Sequence, residues 1–130
     1  MIILAIRTDK PEAEIGLYDG QKQVAYETWQ AHRQLAETIH ARIELLLKKQ
    51  HIEWAGLGGI VCFRGPGSFT GLRIGLTVGN TLAYSLGLPI VATQGDNWQK
   101  AGANRLLAGE SDKQVTPFYG ADAHITPQKK

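Results

Sequence analysis

The sequence lacks several features that would assign a class of protein at once. It contains one cysteine in 130 residues, Cys62, so no internal disulfide can form, and neither a CxxC pair nor a Cys/His cluster indicates zinc. No apolar stretch approaches the roughly 18 uninterrupted residues of a membrane span. The 14 basic and 12 acidic side chains are mixed along the chain, so no basic stripe predicts a nucleic-acid surface. We therefore expect a small domain in a reducing compartment, the cytoplasm, with no membrane partner.

Short apolar runs separated by turn residues make up most of the chain. A run at Met1–Ile6 predicts a buried strand, and partial alternation on either side of Asp19 and Gly20 predicts an antiparallel hairpin. Apolar residues three and four positions apart predict helices. In chain order, we expect strands at 1–6, 13–19 and 22–29, a helix at 33–50, a strand at 57–63, a helix at about 71–86, a strand at 89–93 and a helix at 97–108. This order predicts an α/β fold.

Charged side chains are scarce in the centre of the chain. Between residues 51 and 95, only Glu53, Arg64 and Arg73 carry a charge. Segments with so little charge are normally shielded from water. We expect this unit to be largely buried, either in its own core or against a partner.

The most informative segment is a glycine-rich turn between the strand ending at Phe63 and the second helix. It consists of Gly65, Pro66, Gly67, Ser68, Phe69 and Thr70, followed by Gly71, Leu72 and Arg73. Such a turn presents backbone N–H groups at a helix N-terminus, where anions bind. It lacks the Gly-Lys-Ser/Thr ending of a P-loop. The segment is either a phosphate cradle or a plain tight turn in which Ser68 or Thr70 caps the helix.

Small residues recur every four positions along the second helix, at Gly71, Gly75, Gly79 and Ala83. Each interior glycine costs roughly 1 kcal/mol of helix stability relative to alanine. Close approach of another backbone is the usual compensation. That backbone belongs either to the chain's own sheet or to a helix of a partner subunit, and the pattern favours neither.

The helix at 33–50 carries a wide apolar band. Leu35, Ile39 and Leu46 lie on one side of it, and Ile43 lies beside them. One sheet covers only one stripe of a helix, so part of this band is available to a partner. The alternative is an ordinary amphipathic core helix with Arg42 in solvent.

The run Gly65–Arg73, continued by Ile74–Ala83 and Leu86–Thr93, resembles the N-terminal half of the TsaB family. TsaB is the non-catalytic subunit of the bacterial machinery that makes threonylcarbamoyladenosine in tRNA, and its relative TsaD is the catalytic subunit. The resemblance covers residues 1–93 and is specific over 65–93. It implies one lobe of the actin-like and Hsp70-like ATPase, ribonuclease H-like fold over residues 1–110, with a mixed sheet and flanking helices. We expect residues 111–130 to form an extended tail.

The resemblance also implies a scaffold subunit and no enzymatic activity of its own. In TsaB-like proteins the helices corresponding to 33–50 and 71–86 pack on the same helices of TsaD or of a second TsaB. The expected partner is therefore a TsaD-like subunit or a second copy of the chain, with tRNA reached only through the complex and with no cofactor. The residues expected to bind the partner are Leu35, Ile39, Arg42, Ile43, Leu46, Gly71, Leu72, Gly75, Gly79 and Ala83.

Two departures from the family bear on nucleotide binding. The family's first strand usually ends in aspartate–threonine–serine, whereas this chain has Arg7, Thr8 and Asp9. Active members of the superfamily use that aspartate near the metal–phosphate group, and Arg7 reverses its charge. The family also carries a second lobe after the strand matching 89–93, for which the remaining residues are too few. An enzyme that binds nucleotide through Gly65–Arg73 stays open as the alternative.

A metal site is not expected. The histidines are His32, His40, His51 and His124, and no two are three to five positions apart. Two histidines on one helix need about that spacing to bind one ion.

Overall fold

The computed structural model describes residues 1–31 and 34–116. Arg33, at the start of the first expected helix, and residues 117–130 of the expected tail lie outside this part. The elements are β1 (Ile2–Arg7), β2 (Glu12–Asp19), β3 (Lys22–Gln30), α1 (Leu35–Lys49), a 3₁₀ turn (Trp54–Gly56), β4 (Leu57–Phe63), α2 (Phe69–Leu86), β5 (Ile90–Thr93) and α3 (Trp98–Leu107). None of the helices in the described part of the chain combines the length and the hydropathy that a membrane span requires.

The five strands form one mixed sheet in the order β3-β2-β1-β4-β5. The first three strands are antiparallel, and β4 and β5 run parallel to β1. β2 and β3 are joined by Gly20 and Gln21, with a positive φ of 64° at Gly20 that suits a two-residue hairpin turn. The expectation of an α/β fold with a mixed sheet and flanking helices is confirmed.

Helices cover both faces of the sheet. In β4, successive side chains point to opposite faces. Val61 packs against Gly102 of α3, whereas Cys62 packs against Gly79 of α2. α1 lies on the same face as α2, where Thr38 accepts a hydrogen bond from the Trp29 indole at 3.1 Å. The middle strands β1 and β4 are therefore buried on both sides. The charge-poor centre of the chain contributes β4 and β5 to the core, but it is not largely buried as expected, because the outer face of α2 stays exposed or only partly buried.

The ends of α2 follow from local chemistry. Ser68 is the N-cap, and its Oγ accepts a hydrogen bond from the Gly71 N–H at 3.4 Å. Gly87 follows the last turn in the left-handed conformation, with a φ of 67°. Ser68 is one of the two N-cap residues that the sequence offered, and α2 begins two residues earlier than the apolar pattern indicated. Its first turn therefore includes Thr70.

Candidate functional site

The small residues of α2 face the chain's own sheet. A Cβ at Gly71 would overlap the carbonyl oxygen of Thr8, a Cβ at Gly75 would overlap the Thr8 hydroxyl, and a Cβ at Gly79 would overlap Cys62 Sγ. Ala83, the fourth member of the row, is also buried. The interpretation of this row as a contact for a partner backbone is therefore corrected, because β1 and β4 already fill the space that the glycines leave.

The apolar residues expected to bind a partner belong to the core. Leu35, Ile39, Ile43 and Leu46 of α1 and Leu72 of α2 are each at most 5% exposed. The expectation that these side chains contact a partner is corrected in the same way. Side chains with so little exposed area can only support a contact surface from within the core.

Arg42 is engaged within the chain as well. Its Nη1 donates to Glu27 Oε2 of β3 at 2.8 Å, and its guanidinium lies 5.5 Å from the centre of the Trp29 ring. Arg42 thus ties α1 to the edge strand of the sheet. A partner that used it would have to compete with this ion pair.

An open groove runs between α1 and α2 on the outer side of the glycine row. Two adjoining hollows of about 350 and 460 Å³ form it, and both include Ala36, Thr77 and Val78. The lining residues are Ala36, Ile39 and His40 of α1, Trp54 of the 3₁₀ turn, and Thr70, Arg73, Ile74, Thr77, Val78, Thr81, Leu82, Ser85 and Leu86 of α2. Arg73 supplies the positive charge of this lining, near the N-terminus of α2. The rest is aliphatic, aromatic or small and polar.

An aromatic pair lines one end of the groove. The rings of His40 and Trp54 stack with their centres 4.9 Å apart and 18° between their planes. His40 lies on the exposed side of α1, and Trp54 precedes β4. The pair adds an aromatic surface to the lining of the groove.

Most of these groove residues were not predicted from the sequence. Ile74, Val78 and Leu82 recur every four positions beside the glycine row, which makes α2 apolar on two adjoining faces. That double stripe could have shown that one face packs on the sheet and the other stays open. The pattern did not show which face was which, because each stripe alone suits a buried contact.

The glycine-rich turn is engaged with the chain itself. The Ser68 N–H donates to the carbonyl oxygen of Asp9 at 3.3 Å, and the Leu72 N–H donates to the Ser68 carbonyl at 2.9 Å. Gly67 lies against the Asp9 side chain, where a Cβ would overlap it. A carboxylate beside the turn opposes an incoming phosphate. The Gly65–Pro66 peptide bond is cis.

A network of charges lies at the end of β1. Arg7 Nε and Nη2 donate to the two carboxylate oxygens of Asp9 at 2.7 and 3.2 Å, and Arg7 Nε lies 3.9 Å from Glu14 Oε2. The guanidinium stacks on Phe63, 3.8 Å from the ring centre. Tyr26 donates its hydroxyl hydrogen to Glu14 Oε1 at 2.8 Å. Burial, and then the hydrogen bond and charge of Glu14, raise the pKa of Tyr26 to about 12.

Metal-binding chemistry is not assembled in residues 1–31 and 34–116. No group of three or more histidine, cysteine, aspartate or glutamate side chains in these ranges is arranged to hold an ion. Cys62 is fully buried, and burial raises the pKa of its thiol to about 12. His124 lies outside the described residues.

Comparisons of sequence and of structure with known proteins find relatives of the same kind, named TsaB, YeaZ or TsaD. The family model of TsaD, tRNA N6-adenosine threonylcarbamoyltransferase, matches residues 29–94. The tRNA threonylcarbamoyladenosine biosynthesis protein TsaB of Escherichia coli K12 is 32% identical over 130 aligned residues, covering 94% of this chain and 54% of that protein. The TsaB of Bacillus subtilis 168 is 38% identical over 93 residues, covering 71% and 40%. The structure of YeaZ from Pseudomonas aeruginosa aligns with a TM-score of 0.67 and 26% identity, covering 72% of this chain and 43% of that one.

The sheet order, the helices on both faces and the structural neighbours define a lobe of the actin-like ATPase, ribonuclease H-like class. Within that class, the chain belongs to the TsaB/YeaZ family. It spans about half the length of the curated relatives it matches.

Proposed function

We propose that the chain is a non-catalytic scaffold subunit in the formation of threonylcarbamoyladenosine in tRNA. In this proposal it presents the groove between α1 and α2 to a TsaD-like catalytic subunit in the cytoplasm, and tRNA is reached only through the complex. The TsaB relatives, named for this biosynthesis, support the pathway. The match to the TsaD family model covers residues 29–94, which include α1 and α2, and so supports a partner that has helices corresponding to these two.

The open groove is the observation that carries the proposal. Its lining is mainly Ile, Val, Leu, Thr and Ala, and this scarcity of charged side chains is shared with the cores of protein interfaces. Val78 and Leu82 are only partly buried by the chain itself. A helix of a partner laid along the groove would remove these side chains from water, and each would contribute to association in proportion to the apolar area covered.

An enzyme that binds nucleotide through the glycine-rich turn is the less favoured function. The turn has a carboxylate, Asp9, packed beside it, and Arg7 is paired with that carboxylate. Calorimetry with ATP and magnesium tests this alternative directly. Magnesium-dependent binding at micromolar concentration would favour the enzyme over the scaffold.

A matched pair of substitutions on α1 tests the groove. Ala36 lines both hollows, whereas Ala41 is exposed on the same helix outside them. We expect Ala36→Arg to weaken association with the tRNA N6-adenosine threonylcarbamoyltransferase of the same organism at least tenfold, because overpacking of a contact costs about 1 to 3 kcal/mol. Ala41→Arg, the control, should leave association unchanged. Association can be measured by titration calorimetry and by pull-down.

Two results would contradict the scaffold proposal. One is the absence of any complex with the catalytic subunit at micromolar concentration. The other is equal binding by Ala36→Arg and by the unsubstituted chain. Sedimentation of the protein alone tests whether a second copy of the chain occupies the groove. A dimer of this chain that Ala36→Arg dissociates would assign the groove to a second copy instead.

A further inference from the structure

The segment after β1 is joined to the glycine-rich turn and to the start of α2 at several points. The Asp9 carbonyl accepts a hydrogen bond from the Ser68 N–H at 3.3 Å, and the Asp9 side chain packs against Gly67. The Thr8 hydroxyl donates to the Gly71 carbonyl at 2.6 Å. Residues 8 and 9 therefore hold the turn, and with it the N-cap Ser68, from one side.

Arg7 fixes the position of Asp9. Its two contacts with the carboxylate are bidentate, a geometry that restrains both side chains. The Asp9 side chain is only 8% exposed, and that of Arg7 is 19% exposed. Without Arg7, a nearly buried carboxylate would lose its counter-ion, and Asp9 would have to turn outward to recover solvation. Such a movement would also withdraw the contact that the Asp9 side chain makes with Gly67 and so loosen the turn around the backbone hydrogen bond between Ser68 and Asp9.

The held turn leads directly into the groove. A hollow beside Asp9 is lined, on the side of α2, by Ser68, Thr70, Gly71 and Ile74. Thr70 and Ile74 also line the groove between α1 and α2. The first turn of α2 thus belongs to both hollows, so a displacement of the glycine-rich turn would change the shape of the groove at its Arg73 end.

We propose that the Arg7–Asp9 ion pair is an internal clasp that sets the glycine-rich turn and the first turn of α2 without any bound ligand, and that Arg7 is thereby a positioning residue for partner association. The part of this inference that concerns association rests on the proposed function. The part that concerns the turn does not, because it follows from contacts within the chain.

Hydrogen exchange in the full chain tests the clasp. Arg7→Met keeps a side chain over Phe63 and removes the charge. We expect the hydrogen-bonded amides within residues 67–72, those of Ser68, Gly71 and Leu72, to exchange at least tenfold faster in this variant, while those of β4 keep their rates. Arg7→Lys restores the charge and should recover much of the protection. Arg105→Gln, which disrupts a separate ion-pair network with Glu110 and Asp112, is the control and should leave residues 67–72 unchanged.

The outcomes separate the clasp from the proposed function. Unchanged exchange at 67–72 in Arg7→Met overturns the clasp, as does slower exchange there when ATP and magnesium are added to the unsubstituted chain. If β4 loosens too, Asp9→Asn replaces Arg7→Met, since it removes only the charge of the acceptor, and the same criteria apply. With the catalytic subunit, we expect Arg7→Met to bind about tenfold more weakly. If Arg7→Met binds as well as the unsubstituted chain although its turn exchanges faster, the turn does not affect the groove and that part of the inference is overturned. If the unsubstituted chain itself does not bind, only the proposed scaffold function is refuted.

Discussion

The hydroxyl of Thr8 donates a hydrogen bond to the carbonyl oxygen of Gly71, and the same hydroxyl lies where a side chain at Gly75 would begin. The backbone of α2 therefore approaches the end of β1 as closely as glycine allows. The glycines weaken the helix by itself, but they permit this contact between helix and sheet. The position of α2, and of the groove on its outer side, is set from within the chain.

Gly75→Leu should destabilise the protein. Its side chain would overlap Thr8, and overpacking of this kind costs about 1 to 3 kcal/mol of unfolding free energy. Replacing a helical glycine returns only roughly 1 kcal/mol, so we expect a net loss of up to about 2 kcal/mol. Thermal melting measures the loss. Tyr84→Leu, at a position on the same helix that is 92% exposed, is the control and should melt within the small range of surface substitutions. An unchanged melting temperature for Gly75→Leu would mean that α2 does not pack on Thr8.

The glycine row shows what the sequence could and could not determine. Three glycines at four-residue spacing require close approach of a backbone, and that requirement was predictable. The identity of the approaching backbone was not, because it depends on where residues 8 and 62 meet the helix in three dimensions. In the same way, the sequence could not show that Arg42 pairs with Glu27, because that pairing depends on where α1 lies against the edge strand.

Elements whose boundaries depend on local chemistry were predicted well. β4 has the expected bounds, and the cap at Ser68 is one of the two that residue type offered. The open groove was not predicted, because helical periodicity shows that a face is apolar and not whether another element covers it. Ile74 and Val78 look like core residues in the sequence and are only partly buried in the fold.

Ile39→Glu should unfold the protein or lower its melting temperature sharply. Ile39 is 1% exposed and packs in the core beneath the groove, so the substitution would bury a charge that has no counter-ion. Ile39→Val, which keeps an apolar side chain, is the matched control and should cost only about 0.5 to 1.5 kcal/mol. If the Ile39→Glu variant folded normally and lost only its binding to a partner, Ile39 would be an interface residue and not a core residue.

Cys62 should be inert to thiol reagents in the native protein. The thiol is fully buried between β4 and Gly79, and burial raises its pKa to about 12, so very little thiolate forms at pH 8. Labelling with a chromogenic disulfide should proceed only as fast as the chain unfolds and should become rapid in denaturant. Rapid stoichiometric labelling without denaturant would show that α2 separates from the sheet in the native state.

Acid should release the segment that follows α3 from the edge of the sheet. The Asp112 N–H donates to the Ile90 carbonyl, its carboxylate accepts from the Ala92 N–H at 3.0 Å, and Arg105 Nη2 donates to Oδ1 at 2.6 Å. The hydrogen bond from Arg105, with further help from the Ala92 N–H, lowers the pKa of Asp112 below its ordinary value of 3.8, against the opposing effect of burial.

Because the folded pKa of Asp112 is the lower one, its contribution to stability is present above the ordinary value of 3.8 and is lost as the pH falls through the folded pKa. We expect the amide resonance of Ala92 to titrate with a midpoint below 3.8. In Arg105→Gln the midpoint should move up toward that value, since the principal cause of the lowered pKa is removed, while the unfolded state is unaffected. A midpoint at or above 3.8 in the unsubstituted chain would mean that Asp112 is not held against β5 by Arg105, and the edge of the sheet would then be open to pairing with another strand.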